Sequence, residues 1–138
     1  MPHPIVADRI ELATHDEARL LRLERVEKSP AHGDFYAWLT VRSGGFGYEG
    51  QLFFDTVHLS AALSALDAMA ELRPGEATLT GQWSEDFVRL ASNEQGHVWV
   101  TGELNRFDEH HQLLRFAFRT DQTVLPPFAG ELRRLLEA

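Results

Sequence analysis

The chain has 138 residues, of which 43% are apolar, with 21 acidic and 13 basic side chains, a formal charge of -8 with histidine neutral, and no cysteine. Length and apolar content fit a single domain over residues 1–138 with a core of its own, and they argue against a disordered chain. The lack of cysteine excludes disulfides, thiol catalysis and thiolate metal sites, and the acidic balance removes the electrostatic footprint of a nucleic-acid binder.

The apolar pattern runs with period two along most of the chain, as in half-buried strands. Ile10 and Leu12 alternate with charges over residues 8–14. Leu21, Leu23 and Arg25 continue an alternation over residues 19–27, which favours a strand over a helix there. Ser29-Pro30-Ala31-His32-Gly33-Asp34 is a turn cluster. The next strand sets Phe35, Ala37, Leu39 and Val41 on one face and Tyr36, Trp38, Thr40 and Arg42 on the other. Ser43-Gly44-Gly45 turns the chain, and Phe46–Asp55 returns as its hairpin partner with Phe46, Tyr48, Leu52 and Phe54 in phase.

Asp55 or Thr56 then caps a helix of about 16 residues, because a short polar side chain accepts a hydrogen bond from the free amides of a first turn. Leu59, Ala62, Leu63, Leu66, Met69 and Ala70 recur at three- and four-residue spacing as one apolar stripe. Arg73-Pro74-Gly75 is expected to end it. Four strand segments with short connections follow. They run through Ala77–Trp83, Phe87–Ala91, His97–Leu104 and Leu114–Arg119, and such neighbours pair antiparallel. Gly96 sits where a positive φ is expected. Pro126-Pro127 opens a terminal helix carrying Phe128, Leu132, Leu135 and Leu136.

Segregated strands with two helices give the α+β class. The expected architecture is a twisted antiparallel sheet of about eight strands, able to fold over as a sandwich, with one central helix and a C-terminal helix. No internal repeat is visible in the sequence.

Catalytic and metal signatures are missing from the string of residues. His110 and His111 are adjacent, so they diverge on a strand or a helix alike, and they fall in an expected turn. His97 follows Gly96 at a strand start and, in the simplest reading, caps the loop or packs beside Trp99. His58 lies in a first helical turn with no carboxylate visibly placed to orient it. Gly44-Gly45-Phe46-Gly47 lacks the helix and lysine of a phosphate loop. Asp86, Glu94 and Asp121 are the carboxylates that could pair as acid and base only if the fold brought them together. No metal and no cofactor is therefore expected, and no enzyme activity.

Trp38, Trp83 and Trp99 all fall in expected strand segments, where rings of that size usually fill a core. The sharper alternative is an aromatic patch with acidic neighbours, the composition of a protein interface. Its residues would be Tyr48, Glu49, Trp83, Glu85, Asp86, Trp99 and Glu103. A small-ligand module with an apolar pocket between sheet and helix, lined by Trp38, Phe54 and Trp99, is the other non-enzymatic reading. A carboxylate-based enzyme stands behind both.

From about Asp34 to the end, the chain resembles the WapI-type immunity proteins of bacterial polymorphic toxin systems and related small bacterial proteins. The resemblance is carried by Gly45-Phe46-Gly47-Tyr48 and by Phe53-Phe54-Asp55-Thr56 leading to Leu59, Leu63 and Leu66. Gly96-His97-Val98 follows, and then Phe116-Ala117-Phe118 with Asp121-Gln122-Thr123 and Leu125. It implies a non-catalytic α+β domain that binds and neutralises a toxin, and it carries no site residues over. A protein partner, a toxin domain in that reading, is expected, with no nucleic acid and no membrane. An open edge strand leaves a homodimer available. Met1-Pro2-His3-Pro4 does not read as a signal peptide, so the expected compartment is the cytosol.

Overall fold

The structure, a computed structural model, describes residues 3–138. It contains strands β1 (Ile5–Leu12), β2 (Arg19–Lys28), β3 (Phe35–Ser43) and β4 (Phe46–Phe54), then helix α1 (Thr56–Ala70). Strands β5 (Gly75–Leu79), β6 (Phe87–Ser92), β7 (His97–Phe107) and β8 (His111–Asp121) follow. A 3-10 turn (Gln122–Val124) then leads into helix α2 (Leu125–Glu137). The eight strands form two four-stranded antiparallel meanders, ordered β1-β2-β3-β4 and β5-β6-β7-β8. The α+β reading holds, and the sheet of about eight strands is two sheets of four.

The architecture repeats. Four strands and a helix are followed by four strands and a helix, although no repeat is legible in the sequence. Both helical segments are entered through an aspartate. Asp55 accepts from the amide of His58 at 2.8 Å, and Asp121 from the amide of Thr123 at 2.9 Å. A carboxylate directly after a strand satisfies amides that have no helical partner and sets the chain turning.

One core joins both halves. Alternate residues of each sheet bury Leu21, Leu23, Leu39, Leu52 and Phe54 on one side and Leu79, Val88, Leu90, Val100 and Phe116 on the other. Leu59, Leu63, Leu66 and Met69 of α1 and Phe128, Leu132 and Leu135 of α2 complete it. Each such side chain contributes roughly 1.5–3 kcal/mol on burial. The helices touch each other, with α1 along β5 and α2 against β1. Arg133 of α2 donates to Asp67 of α1 at 2.7 Å.

Several local expectations change. Strand β5 ends at Leu79, so Trp83 lies in the turn before β6 rather than in a strand. The alternation in β2 breaks at a bulge: Glu24 pairs Trp38, but Glu27 pairs Tyr36. Arg25 sits in that bulge at φ +51. The extra residue turns Arg25 to solvent and lets Val26 enter the core. Helix α1 ends before Arg73-Pro74-Gly75. Leu72, at φ +64, donates to Met69 O, while Arg73 donates to Ala68 O. That pair of bonds is the Schellman arrangement, here built on leucine where glycine is usual.

Side chains cover two of the sheet edges. Arg19 Nη1 and Ser43 Oγ donate to the carbonyls of Arg119 and Ala117 on β8, at 3.0 and 3.1 Å. Arg106 Nη1 donates to Glu49 O on β4 at 3.1 Å. Edge carbonyls satisfied in this way are less open to pairing with another strand.

Candidate partner-binding groove

Three connections meet beside the start of α1: the β2–β3 loop, the β4–α1 junction and the β5–β6 turn. They enclose an open groove of about 520 Å³ lined by His32, Asp34, Phe53, Asp55, Val57 and Trp83, among others. Trp83 is 89% exposed and Val57 77% exposed, beside the exposed polar side chains of His32 and Gln82. Large apolar side chains left in water side by side mark a surface that another molecule covers.

The turn bearing Trp83 is held by hydrogen bonds at Thr80, Gln82, Ser84 and Asp86. Gln82 N–H donates to Asp55 Oδ2 at 3.0 Å, and Ser84 N–H to Gly81 O at 3.1 Å. Asp86 N–H donates to Ser84 Oγ at 3.1 Å, and Thr80 Oγ1 to Asp86 O at 2.8 Å. The ring of Phe53 lies directly over Gly81, in the space a Cβ would occupy. On the opposite wall, Thr56 Oγ1 donates to Gly33 O, which anchors the loop holding His32 and Asp34. Trp83 is therefore an exposed ring on a fixed support.

Asp55 is the hub. Its Oδ1 accepts from His58 N–H and meets His58 Nδ1 at 2.7 Å, while Oδ2 takes Gln82. Partial burial pushes its carboxyl up. The hydrogen bonds from the His58 amide and ring, the charge of that ring and the Gln82 amide outweigh burial and hold it below the usual carboxylate range. His58 thus has an orienting carboxylate after all, at the N-cap three residues before it. Only the helix start could have signalled it, because the N-cap side chain and the third helical residue are neighbours in a capping arrangement.

The seven interface residues expected from sequence divide between places. Trp83 and Glu85 belong to the β5–β6 turn, with Glu85 exposed. Asp86 faces the other way and accepts from the Asn105 amide and side chain at 2.8 and 2.9 Å. Tyr48 and Glu49, on edge strand β4, gather near Arg106. Burial, and then the charge of Asp86, raise the Tyr48 hydroxyl pKa, which Arg106 partly offsets. Trp99 and Glu103 lie on the outer face of β7, four residues or ~13 Å apart by strand rise. Glu103 is engaged by Arg115 at 2.7 Å, and Trp99 meets His97 edge-on at 6.0 Å. Sequence reasoning missed Asp34, Asp55, Val57 and Gln82 as groove residues, since they come together only through three separate connections.

The remaining candidates are also located. Trp38 is on the outer face of the first sheet, opposite Gln51, while Phe54 is fully buried and Trp99 is on the outer face of the second sheet. The pocket imagined between sheet and helix from those three rings does not form, because core side chains fill that space. Asp86 and Asp121 lie beside opposite ends of β7, next to Asn105 and His97. Eight residues of strand, ~26 Å, keep them from acting as a pair. His111 stacks on Phe107 at 4.4 Å and bonds Asn105 at 2.8 Å. Among the described residues, no three metal-ligating side chains converge, and no helix is long and apolar enough to cross a membrane.

Residues 13–138 match the family described as Immunity protein WapI-like family. The chain belongs to this family. The match reaches back beyond Asp34 to include β2, so every strand but β1 and both helices lie within the WapI-like unit. No curated protein matches the chain. Among solved structures it is similar to a chain titled "Crystal structures of trypanosoma bruciei MRP1/MRP2". That likeness has a TM-score of 0.54 and 13% identity, over 99% of this chain and 85% of that one. At so low an identity the likeness concerns the path of the backbone alone.

Proposed function

We propose that this WapI-like chain is an immunity protein that binds a toxin domain in the cytosol and neutralises it by covering a surface, without chemistry of its own. The observation that carries the reading is the family match over residues 13–138. The molecule's surface supports it: Trp83 and Val57 stand in water on a hydrogen-bonded frame, as anchors of a protein interface do. The formal charge of -8 favours a basic partner and would speed its capture. On this reading Trp83 and Glu85 lie at the centre of contact, while Asp86, turned to Asn105, and Tyr48 and Glu49, near Arg106, lie apart from it. Trp99 and Glu103 belong to a second, outer-sheet surface.

The test is to look for a toxin gene beside this one and co-express its toxin domain with the chain. Growth should be restored, and the two proteins should co-elute as a stable complex. A toxin that kills undiminished in the presence of the folded protein, with no complex formed, overturns the proposal.

A further inference from the structure

We infer that the groove beside α1 is a receptor for one cationic side chain, an arginine or lysine of the protein partner, stacked on the indole of Trp83 and paired with Asp34. This deepens the toxin-binding reading and rests on it for the partner's identity.

Charge and geometry carry the argument. Two carboxylates, Asp34 and Asp55, line the groove, and its lining residues include the exposed His32 but no arginine or lysine. Asp55 has its acceptors engaged by His58 and Gln82. Asp34 makes no side-chain hydrogen bond or ion pair among the described residues, so its carboxylate is available to a donor from outside. Trp83, an 89% exposed indole, lines the same groove, and a π face attracts a cation at close range. Val57 supplies apolar surface for the methylene stem that every arginine or lysine carries. An occupant that is apolar along its length and positive at its tip meets all three.

The frame is formed in advance. Asp55 fixes Gln82, Phe53 covers Gly81, and Thr56 ties the Gly33 loop, so the indole and the Asp34 loop need little ordering on binding. A neutral apolar segment would leave Asp34 covered and unpaired, and an acidic one would meet two like charges.

The 138-residue chain carries three tryptophans, and so gives three indole N–H signals in a nitrogen-15 spectrum. The probe is acetyl-arginine methylamide, with its uncharged isostere acetyl-citrulline methylamide as control. The arginine probe should move the Trp83 indole saturably and leave those of Trp38 and Trp99 in place, and the citrulline probe should move none. Asp34→Asn should weaken the response about tenfold. Equal response to both probes, equal movement of all three indoles, or no saturable shift overturns the inference.

In the second arm, Trp83→Ala and Asp34→Asn should each weaken binding of the toxin domain about tenfold or more, while Trp38→Ala, on the outer face of the first sheet, leaves it unchanged. Undiminished binding by the two groove variants overturns the inference and leaves the immunity role standing. A wild-type protein that ignores the toxin overturns the immunity role, while the arginine titration still decides the groove. A homodimer that dissociates on Trp83→Ala would put a second copy in the groove and overturn the inference.

Discussion

Asp55 Oδ2 accepts the backbone N–H of Gln82 at 3.0 Å, so the residue that caps α1 also fixes the turn that presents Trp83. A neighbouring bond from the Asp55 amide to Thr80 O, at 3.2 Å, runs between the same two segments. One side chain thereby starts a helix, orients His58 and joins the first half of the fold to the second. Asp55→Ala should cost about 1–2 kcal/mol at neutral pH, the range of a lost N-cap, with Asp55→Asn milder because asparagine also caps.

The sign of the pH effect follows from the lowered pKa of Asp55. A carboxyl held lower in the folded than in the unfolded state stabilises the fold above its unfolded value, ~3.9. That contribution disappears as pH falls through the folded value. Urea unfolding of wild type and Asp55→Ala should therefore differ fully at pH 7, and the gap should narrow as pH falls below the unfolded value, ~3.9. A gap that is constant with pH would show that the carboxylate's charge does not contribute.

Leu72 holds a left-handed conformation, φ +64, at the end of α1. An L side chain there costs about 1 kcal/mol or more, which glycine avoids. Glycine also loses more freedom on folding, and Leu72 is 46% exposed, so little packing is at stake. Leu72→Gly should leave stability unchanged or raise it by up to about 1 kcal/mol, whereas Leu72→Val should lower it. Thermal unfolding of the two variants reads the ordering directly.

Two strand glycines lie under aromatic rings, with different consequences. A Cβ at Gly102 would come within 2.5 Å of Phe116 Cε1 and 2.6 Å of the Phe87 carbonyl oxygen. The second neighbour is backbone and cannot step aside, so Gly102→Ala should cost about 1–3 kcal/mol. At Gly50 the obstacle is the half-buried ring of Tyr48, whose hydroxyl end can swing outward. Gly50→Ala should cost less than Gly102→Ala. Denaturant midpoints of the two variants decide it.

Trp83 and Phe128 are both large aromatics, but one is 89% and the other 1% exposed. Trp83→Ala should change stability by no more than about 0.5 kcal/mol. Phe128→Ala opens the core where α2 seals it and should cost about 3–5 kcal/mol. A Trp83→Ala variant that melts far below wild type would mean that the ring supports the fold rather than standing ready for a partner.

The order of elements was written in the residues. Period-two runs such as Phe35–Val41, the three- and four-residue stripe from Leu59 to Ala70, and the aspartate after β4 are local signals. Backbone hydrogen bonding and one-sided burial impose them wherever the chain goes. The bulge at Arg25 and the left-handed Leu72 were hidden, because neither residue type announces a positive φ, and neighbouring packing imposes it. Architectural repetition was hidden for a related reason: many apolar sequences satisfy one arrangement of four strands and a helix. Composition favoured a protein-binding surface, but only tertiary structure put Trp83 in a turn rather than a strand and brought Asp34, Asp55 and Val57 around it. Residues up to fifty positions apart meet there through loops, and loop meetings depend on how two sheets and two helices close on a shared core, which no local periodicity encodes.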